Sequence, residues 1–312
     1  MKTRLIALLA ACWLGLAGCA TVPTPDTPPR VAVISAFDAE LALLRAQTKN
    51  ARTERLNGVE FTTGELEGKP VVLFLSGISM TNAAMNTQLA LDRFKVSHIV
   101  FSGIAGGVNP ALHIGDVSVP ERWGSYLEAL FAREVKPGVY QPPGWMKDAT
   151  LPNFGMIHPR PVGVRSARSD QLETRLWFEV DPAMLAAARQ LGQVPLQQCS
   201  APKAAEAPAG RQCLSHAPKL VFGGNGVSGQ AFVDHAGFRE YTFATFQANV
   251  LDMETSAVAQ VAYANRVPYI AFRSLSDLAG GGEGENEIGT FFQVAADNSA
   301  KVVVAFLRRW RP

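Results

Sequence analysis

Three short segments of the chain place acidic side chains where strands are predicted to end. Glu40 lies in the first turn of a predicted helix directly after a predicted strand, and Asp252 and Glu254 lie between a predicted strand and an Ala-rich helix. Asp277 ends an apolar strand that also carries Arg273. In an open α/β sheet, the loops that follow the strands face the crevice where ligands bind. Acids on three such loops indicate a site that cleaves a bond through a cationic transition state.

Each segment on its own also fits a structural role. Glu40 suits the positive end of a helix dipole. If the chain from Asp252 to Glu254 is extended, both carboxylates point to one side and invite a polyol; in the alternative, Asp252 is exposed and Glu254 caps the helix. Asp277 alone fits a turn former or a salt-bridge partner of Arg273. The single segments leave these alternatives open, and only their combination favours a catalytic site.

The elements that must position these acids alternate short β-rich runs with helical patterns, which predicts an α/β fold with one main sheet. The stretch 121–180 is the least regular and is rich in Pro, Gly, Trp and Arg, so we expect a long loop there with a function or a partner. The predicted strands are 31–35, 61–66, 71–75, 98–102, 116–120, 219–222, 250–253 and 269–274, and the predicted helices are 38–47, 81–94, 182–192, 234–246, 255–266 and 290–309.

The first residues predict export of the chain. Two basic residues precede the apolar run 5–16, which is too short to span a bilayer comfortably and is typical of a signal peptide. The ending 16–19 resembles the lipobox of bacterial lipoproteins, so we expect a signal peptide over 1–18 and a lipid on Cys19. The alternatives are a plain secretory signal or a buried N-terminal helix. Ala20 after the cysteine favours sorting to the outer membrane, with the protein facing the periplasm.

The segment after the anchor is rich in proline and predicts an extended tether over 19–29, followed by the folded domain over 30–312. The chain has 29 Lys and Arg against 27 Asp and Glu, a formal net charge of +2, with no long basic run. It therefore does not indicate a nucleic-acid groove. Cleavage before Cys19 removes Lys2 and Arg4 and no acid, which leaves a mature chain of zero formal charge.

The four cysteines, at positions 12, 19, 199 and 213, are too few for a disulfide scaffold. Neither their spacing nor the five scattered histidines gives a zinc pattern, and no metal site is predicted. Cys12 leaves with the signal peptide, and Cys19 is the predicted anchor. Cys199 and Cys213 remain as an isolated pair in an oxidising compartment, where we expect a disulfide between them.

A family resemblance runs in order along the chain. The segments 33–40, 102–107, 113–117, 229–233, 252–254 and 273–277 resemble the purine nucleoside phosphorylase/uridine phosphorylase superfamily, and within it most closely the methylthioadenosine/S-adenosylhomocysteine nucleosidases. The segments 109–116, 177–181 and 274–281, with the two late cysteines, are similar to a subgroup that includes plant bark storage proteins. The resemblance implies an α/β fold of three αβα layers with a central mixed sheet.

The resemblance also implies catalytic roles. Asp277 would protonate N7 of a purine, which makes the base a better leaving group as the ribosyl carbon gains oxocarbenium character. Glu40 would orient and deprotonate the attacking water. Glu254 would hold the ribose hydroxyls, and Arg273 would organise the carboxylates around the water.

Further positions would bind the substrate. Phe232 would stack on the base while the Val233 backbone reads its edge. The remaining residues implied on the sugar side are Met253, Asp252, Ala105, Gly106, Ile104 and Ser79. Asp252 stands where the compact nucleosidases carry Glu, and Ile104 where they carry a small polar residue. The implied partner is a small nucleoside, without cofactor or nucleic acid and with membrane contact only through the anchor, and the implied assembly is a homodimer or a higher homo-oligomer.

The main alternative concerns the attacking group. Phosphorylases of this superfamily place an Arg shortly before the glycine loop to bind phosphate, and the stretch 99–102 contains none. A carboxylate at Glu40 would also repel phosphate. The sequence therefore favours hydrolysis of the N-glycosidic bond of a purine nucleoside, with adenine as the expected base. A phosphate-dependent phosphorylase and a non-catalytic nucleoside-binding or storage protein remain the alternatives.

Overall fold

The computed structural model describes residues 26–146, 151–200 and 212–311. Six helices lie in these ranges: α1 Asp38–Gln47, α2 Met80–Arg93, α3 Pro182–Arg189, α4 Ala236–Phe246, α5 Thr255–Ala264 and α6 Ile288–Arg309. The same ranges contain eighteen strands: β1 Asp26–Ser35, β2 Lys49–Leu56, β3 Val59–Leu66, β4 Lys69–Leu75, β5 Phe94–Gly107, β6 Val117–Val119, β7 Arg122–Ser125, β8 Ala129–Phe131, β9 Arg133–Lys136, β10 Val139–Gln141, β11 Ile157–Pro159, β12 Val162–Ser166, β13 Ser169–Arg175, β14 Trp177–Glu179, β15 Leu220–Phe222, β16 Asn225–Ser228, β17 Ala248–Asp252 and β18 Tyr269–Asp277.

Twelve strands form one mixed sheet, in which β5 is central. The main path runs β14-β7-β16-β17-β5-β1-β4-β3-β2, with β18 paired to β5 and β6 and with β15 paired to β6. Strand β5 pairs in parallel with β1 and with β18, and its last residues pair antiparallel with β17. Because β1, β5, β17 and β18 meet there, their carboxyl ends bring distant segments of the sequence to one edge.

Helices cover both faces of this sheet. Helix α1 packs with α6, helix α2 packs with α5, and both pairs contact the central strands. The strands between them are buried on both faces, and so they read as continuous apolar runs rather than alternating ones. The fully buried positions include Val33, Ile34, Leu73, Phe74, Val100, Phe101, Ile270 and Phe272. The α/β fold of three layers with a mixed sheet is therefore confirmed.

The structure differs from the predicted elements at two places near the start of the chain. Strand β1 begins at Asp26, four residues before the predicted start of the domain, because the extended proline-rich segment reaches the edge of β5 and pairs Asp26 with Phe94. Strand β2 is absent from the prediction. Its eight residues are almost all polar and mostly exposed, since this strand forms the outer edge of the sheet and buries no apolar face.

The stretch 121–180 is not the irregular loop that we expect from the sequence. It folds into β7 to β14, of which β7 and β14 join the main sheet and the others pair as three two-stranded sheets. These strands are only three to seven residues long and mostly exposed, so they lack the apolar alternation by which strands are recognised. Trp123 anchors the region, because its fully buried side chain lies against Gly226.

The two late cysteines are bonded in the structure. Cys199 and Cys213 form a disulfide and pair their backbones in an isolated bridge. The predicted signal peptide, the lipidated Cys19 and most of the predicted tether lie outside the described residues. No helix in the described ranges is long and apolar enough to cross a membrane.

The disulfide predicts a measurable contribution to stability. The double substitution of Cys199→Ser and Cys213→Ser should lower the free energy of unfolding by about 3 kcal/mol, since the closed loop restricts the unfolded chain. Urea unfolding of both proteins, with and without reductant, measures this. Reductant should bring the unmodified protein to the stability of the double variant and leave that variant unchanged. Equal stability of the unmodified protein and the double variant in the absence of reductant would contradict the prediction.

Candidate active site

A large cavity opens at the carboxyl ends of the central strands. Its volume is about 420 Å³, which suits a nucleoside-sized ligand. Its walls come from the ends of β1, β5, β17 and β18, from the segment before α4 and from the start of α6. The lining residues are Ala36, Phe37, Glu40, Ile78, Ile104, Ala105, Gly106, Ala231, Phe232, Val233, Leu251, Asp252, Met253, Glu254, Ser276, Asp277, Ile288, Gly289 and Phe292.

Arg273 lies beneath this cavity and is completely buried. Its Nε is 2.8 Å from Asp252 Oδ2, its Nη1 is 3.7 Å from Glu40 Oε1, and its Nη2 is 3.9 Å from Glu254 Oε2. The guanidinium carbon also lies 4.0 Å from the centroid of the Phe101 ring. One buried cation thus faces three of the predicted acids, which come from two distant segments of the chain.

Glu40 is held by backbone donors rather than by its own helix. Its Oε2 accepts from the N–H of Ala36 at 2.6 Å, and its Oε1 accepts from the N–H of Ile104 at 2.7 Å. Burial raises the pKa of Glu40 above its ordinary value, while Arg273 and the backbone donors act in the opposite direction. The carboxylate is therefore fixed in direction at the cavity wall and is more basic than an exposed glutamate.

Asp252 and Glu254 have different structural roles, and only Asp252 caps a helix. Asp252 is buried, not exposed, and its Oδ1 accepts from the N–H groups of Glu254 and Thr255 at 3.3 and 3.2 Å. Its Oδ2 also accepts a hydrogen bond from the Thr255 hydroxyl. Asp252 is thus the side chain that caps α5, whereas Glu254 occupies the N-cap position without a capping bond.

Glu254 turns instead toward the cavity. Its Oε1 accepts from the N–H of Ser79 at 2.9 Å. The pKa of Glu254 is raised to about 8, first by burial and then by the charge of Asp252, although Arg273 and the Ser79 N–H lower it. The site holds this group at the expense of charge repulsion, as expected of a side chain retained for ligand contact.

Asp277 is the last residue of β18 and the fourth acid at the cavity. Its Oδ2 accepts from the Ser276 hydroxyl at 2.8 Å, and its Oδ1 accepts from the N–H of Ala279 at 2.8 Å. It therefore forms the turn that ends β18 and also lines the cavity. Among the described residues, Asp277 has no ion pair with Arg273, so the structural alternative of a salt bridge between them is wrong.

Gly103 makes the approach of these groups possible. A Cβ atom at this position would lie 1.9 Å from Nη1 of Arg273 and 2.5 Å from Oε1 of Glu40. Both distances are too short for non-bonded atoms, so only glycine allows the buried cation and the carboxylate to pack this closely against the β5 backbone. The glycine run of the sequence therefore lies within a strand, where it serves close packing.

The cavity gathers most of the predicted site residues. Ten of them line it: Glu40, Ile104, Ala105, Gly106, Phe232, Val233, Asp252, Met253, Glu254 and Asp277. Arg273 does not line the cavity, so its role is to position the carboxylates rather than to touch a ligand. Ser79 does not line it either, and it acts on the site through the hydrogen bond to Glu254.

The sequence reasoning missed an apolar end of the cavity. Phe37, Ile288 and Phe292 line it and pack with Ile104 against two buried alanines of α6. In the sequence, Phe292 carries the apolar spacing of an ordinary core-facing helix, so its contact with a cavity gives no separate signal. Phe232, which also lines the cavity, is half-exposed. Within the described residues, no group of three or more His, Cys, Asp or Glu is arranged to hold a metal ion.

The chain is similar in sequence to known nucleosidases. The chain is 29% identical over 283 residues to a 5′-methylthioadenosine/S-adenosylhomocysteine nucleosidase of Bacillus licheniformis, which covers 90% of this chain and 99% of the relative. It is 30% identical to the enzyme of the same description from Lysinibacillus sphaericus, over 88% of this chain and 97% of the relative.

A solved structure gives the same fold. The nucleosidase of that description from Neisseria meningitidis, in complex with methylthio-immucillin-A, superposes with a TM-score of 0.63 at 24% identity, over 91% of this chain and 100% of the other. The sequence profile described as Phosphorylase superfamily matches residues 30–308. That range includes every residue that lines the cavity, and the chain belongs to the phosphorylase superfamily.

Proposed function

We propose that the protein hydrolyses the N-glycosidic bond of an adenine nucleoside with a 5′ alkylthio substituent, of the methylthioadenosine and S-adenosylhomocysteine class. One observation carries the proposal: Glu40, Glu254 and Asp277 converge on one cavity whose described lining contains no Lys, Arg or His. Such a wall repels phosphate, which leaves water as the nucleophile. The relatives described as nucleosidases of these two substrates support the choice of substrate.

Two carboxyl groups carry out the two proton transfers of the reaction. Water adds to C1′ of the ribose as the bond from C1′ to N9 breaks, and Glu40 accepts the proton that the water loses. Asp277 delivers a proton to N7 of the departing base. The raised pKa of Glu40 strengthens it as a base, and the N–H groups of Ala36 and Ile104 hold its direction.

The sugar is held by the remaining acid. Glu254 accepts hydrogen bonds from the ribose hydroxyls, and in its ionised form its negative charge stabilises the oxocarbenium character that develops at C1′. Met253 packs on the sugar at the same wall, and Phe232 supplies an aromatic face for the base. Because Phe232 is half-exposed without a ligand, the base would cover it on binding.

The apolar end of the cavity selects the 5′ substituent. Phe37, Ile104, Ile288 and Phe292 offer no hydrogen-bond partner to a 5′ hydroxyl and no cation to a 5′ phosphate. An alkylthio group buries apolar area there and leaves no polar group unsatisfied. Ile104 adds to this apolar surface at a position where the resemblance implies a small polar residue, so it should strengthen the preference.

We also infer that the protein works in the bacterial periplasm, anchored to the outer membrane by a lipid on Cys19, and that it pairs with a second copy of itself. The lipobox-like ending of the signal segment and the disulfide support export. The family resemblance supports the pairing. Mass spectrometry of the membrane-extracted protein tests the lipid, and analytical ultracentrifugation tests the pairing.

The reaction should proceed without phosphate. Purified protein incubated with methylthioadenosine should release free adenine at the same rate with and without inorganic phosphate, because no described cation lines the cavity to bind it. Chromatography of the products, with detection of free methylthioribose rather than its 1-phosphate, measures this. Strict dependence on phosphate would assign the protein to the phosphorylases, and tight binding without release would support a storage protein.

Two substitutions should remove catalysis while leaving the fold intact. Asp277→Asn removes the proton donor and Glu40→Gln removes the base, and each should lower kcat by roughly 100-fold or more. The exposed Asp92, on α2 and away from the cavity, provides the matched control Asp92→Asn, which should retain full activity. Adenine release by Asp277→Asn at the unmodified rate would contradict the proposed proton transfer.

Glu254 should trade stability for binding. Its pKa is near 8 in the folded protein and 4.5 in the ordinary state, so the unfolded chain ionises first as the pH rises. Stability should therefore fall between these pH values, with the full loss above pH 8. Glu254→Gln removes this loss and should raise the free energy of unfolding at about pH 9 by roughly 2–5 kcal/mol, with little change at about pH 4.

Urea unfolding at the two pH values measures the effect, and the exposed Glu240 gives the control Glu240→Gln. The same Glu254 variant should bind and hydrolyse methylthioadenosine poorly, because an amide holds the ribose hydroxyls less well than a carboxylate. A variant that is less stable than the unmodified protein at the higher pH would contradict the account of Glu254.

A further inference from the structure

Strand β1 separates the start of the folded chain from the active site. It begins at Asp26, directly after the predicted tether, and its last residue lies five positions before Glu40. Ten residues of strand span about 33 Å. The end of the domain that meets the tether is therefore the end opposite the catalytic cavity.

The tether end of the domain is basic. A shallow concavity of about 320 Å³ lies there, and Arg30 and Arg52 line it together with Glu65. Pro28, at the entry of the chain, forms part of the same wall. The edge strand β2 contributes Arg52 and begins at Lys49, and both side chains are exposed.

A second group of cations adjoins this concavity. Arg308 donates two hydrogen bonds of 2.9 Å to Glu67, the residue in the turn between β3 and β4. These bonds, and then the charges of Lys49 and Lys69, hold the pKa of Glu67 below its ordinary value. Burial and then the charge of Arg311 lower the pKa of Lys69. Arg308, Lys49 and Lys69 therefore lie around one carboxylate, and Arg311 lies near Lys69.

The exposed or half-buried members of these groups form one surface, here called the basic face, which carries five cations and two carboxylates: Arg30, Lys49, Arg52, Arg308 and Arg311, with Glu65 and Glu67. Lys69 is buried and is not part of it. The mature chain as a whole has no formal net charge, so this excess is balanced elsewhere. Three glutamates lie together in the stretch 283–287, directly before the cavity residue Ile288. The acidic stretch thus adjoins the cavity, whereas the basic face adjoins the tether.

We propose that the basic face docks on the anionic phospholipid headgroups of the membrane that holds the N-terminus, with the catalytic cavity facing away from that membrane. The segment 19–25, which remains after the predicted cleavage, is not the occupant, because it contains no acidic residue. A lipid surface supplies the complementary charge at the place where the chain enters the domain. Each Lys or Arg near such a surface adds to the binding, and the effect fades within a Debye length.

Vesicle binding by the full chain tests this proposal. The variant Lys49→Gln with Arg52→Gln removes two exposed cations of the basic face. The control Arg133→Gln with Lys136→Gln removes two exposed cations of β9, in a hairpin outside the main sheet. Co-sedimentation is measured with vesicles of phosphatidylcholine alone and with vesicles containing about 30% phosphatidylglycerol. The N-terminal segment is common to all proteins, so the ratio between the two compositions isolates the electrostatic part.

At low ionic strength, the unmodified protein and the control should favour the anionic vesicles, and the Lys49 and Arg52 variant should lose on the order of tenfold of that preference. About 0.5 M salt should abolish the difference. Adenine release should be equal in all three proteins. Equal losses in variant and control, or no preference for anionic vesicles, would overturn the proposal. Binding of the basic face to an oligonucleotide but not to vesicles would overturn it as well.

Discussion

The site depends on a single buried cation. Arg273 is completely inaccessible, and a guanidinium cannot lose its charge in a protein, so its burial is tolerable only with carboxylates around it. Asp252 lies 2.8 Å from it, and Glu40 and Glu254 lie just under 4 Å away. These partners come from the end of β17 and from the starts of α1 and α5, so the requirement for charge pairing ties together the segments that follow β1 and β17.

One cation cannot neutralise three carboxylates, and this incomplete compensation leaves the pKa values of two of them raised. Burial raises the pKa of Glu40 and of Glu254, and Arg273 reduces the shift of both. A base must be basic enough to take a proton from water yet remain ionised before the reaction. Arg273 meets the second requirement and burial the first, so that removal of either would spoil the base. The protein thereby sets the protonation of its catalytic groups without a metal ion or a cofactor in the proposed reaction.

The sequence predicts those parts of the site that follow from local pattern. Glu40, Asp252, Glu254 and Asp277 could be found because they follow apolar runs that read as strands, and the topology of such sheets brings strand ends together. The position of Arg273 below the cavity, rather than in it, depends on which strand lies beside which, and local pattern carries no such information. The same holds for Phe292, whose helix buries one stripe against the core and shows part of it to the cavity.

The fold was predictable to a similar depth. Buried strands such as β1 and β4 end in apolar runs, which place their later residues and their ends, although both strands begin before the run, at Asp26 and Lys69. Strand β2 has no such run because an edge strand is held by backbone pairing with β3 rather than by apolar burial. The two-stranded sheets within 121–180 escape prediction for the same reason. A strand that is held by backbone pairing alone depends on its partner strand. That partner is either distant in the sequence or equally lacking in an apolar pattern, so neither strand can be recognised locally.

Strain at the site shows how strongly the fold is committed to these carboxylates. Ser79 has φ +84° and ψ 150°, a backbone conformation that is essentially confined to glycine. The conformation costs about 1–3 kcal/mol, and its effect is to aim the Ser79 N–H at Glu254 from 2.9 Å. Glu254 is itself held in a conformation and a charge environment that raise its pKa. Two unfavourable arrangements therefore meet at one hydrogen bond, and neither helps the domain to fold. Their common outcome is a carboxylate fixed at the cavity wall, which is what a ribose hydroxyl pair requires and what the stability of the empty protein opposes.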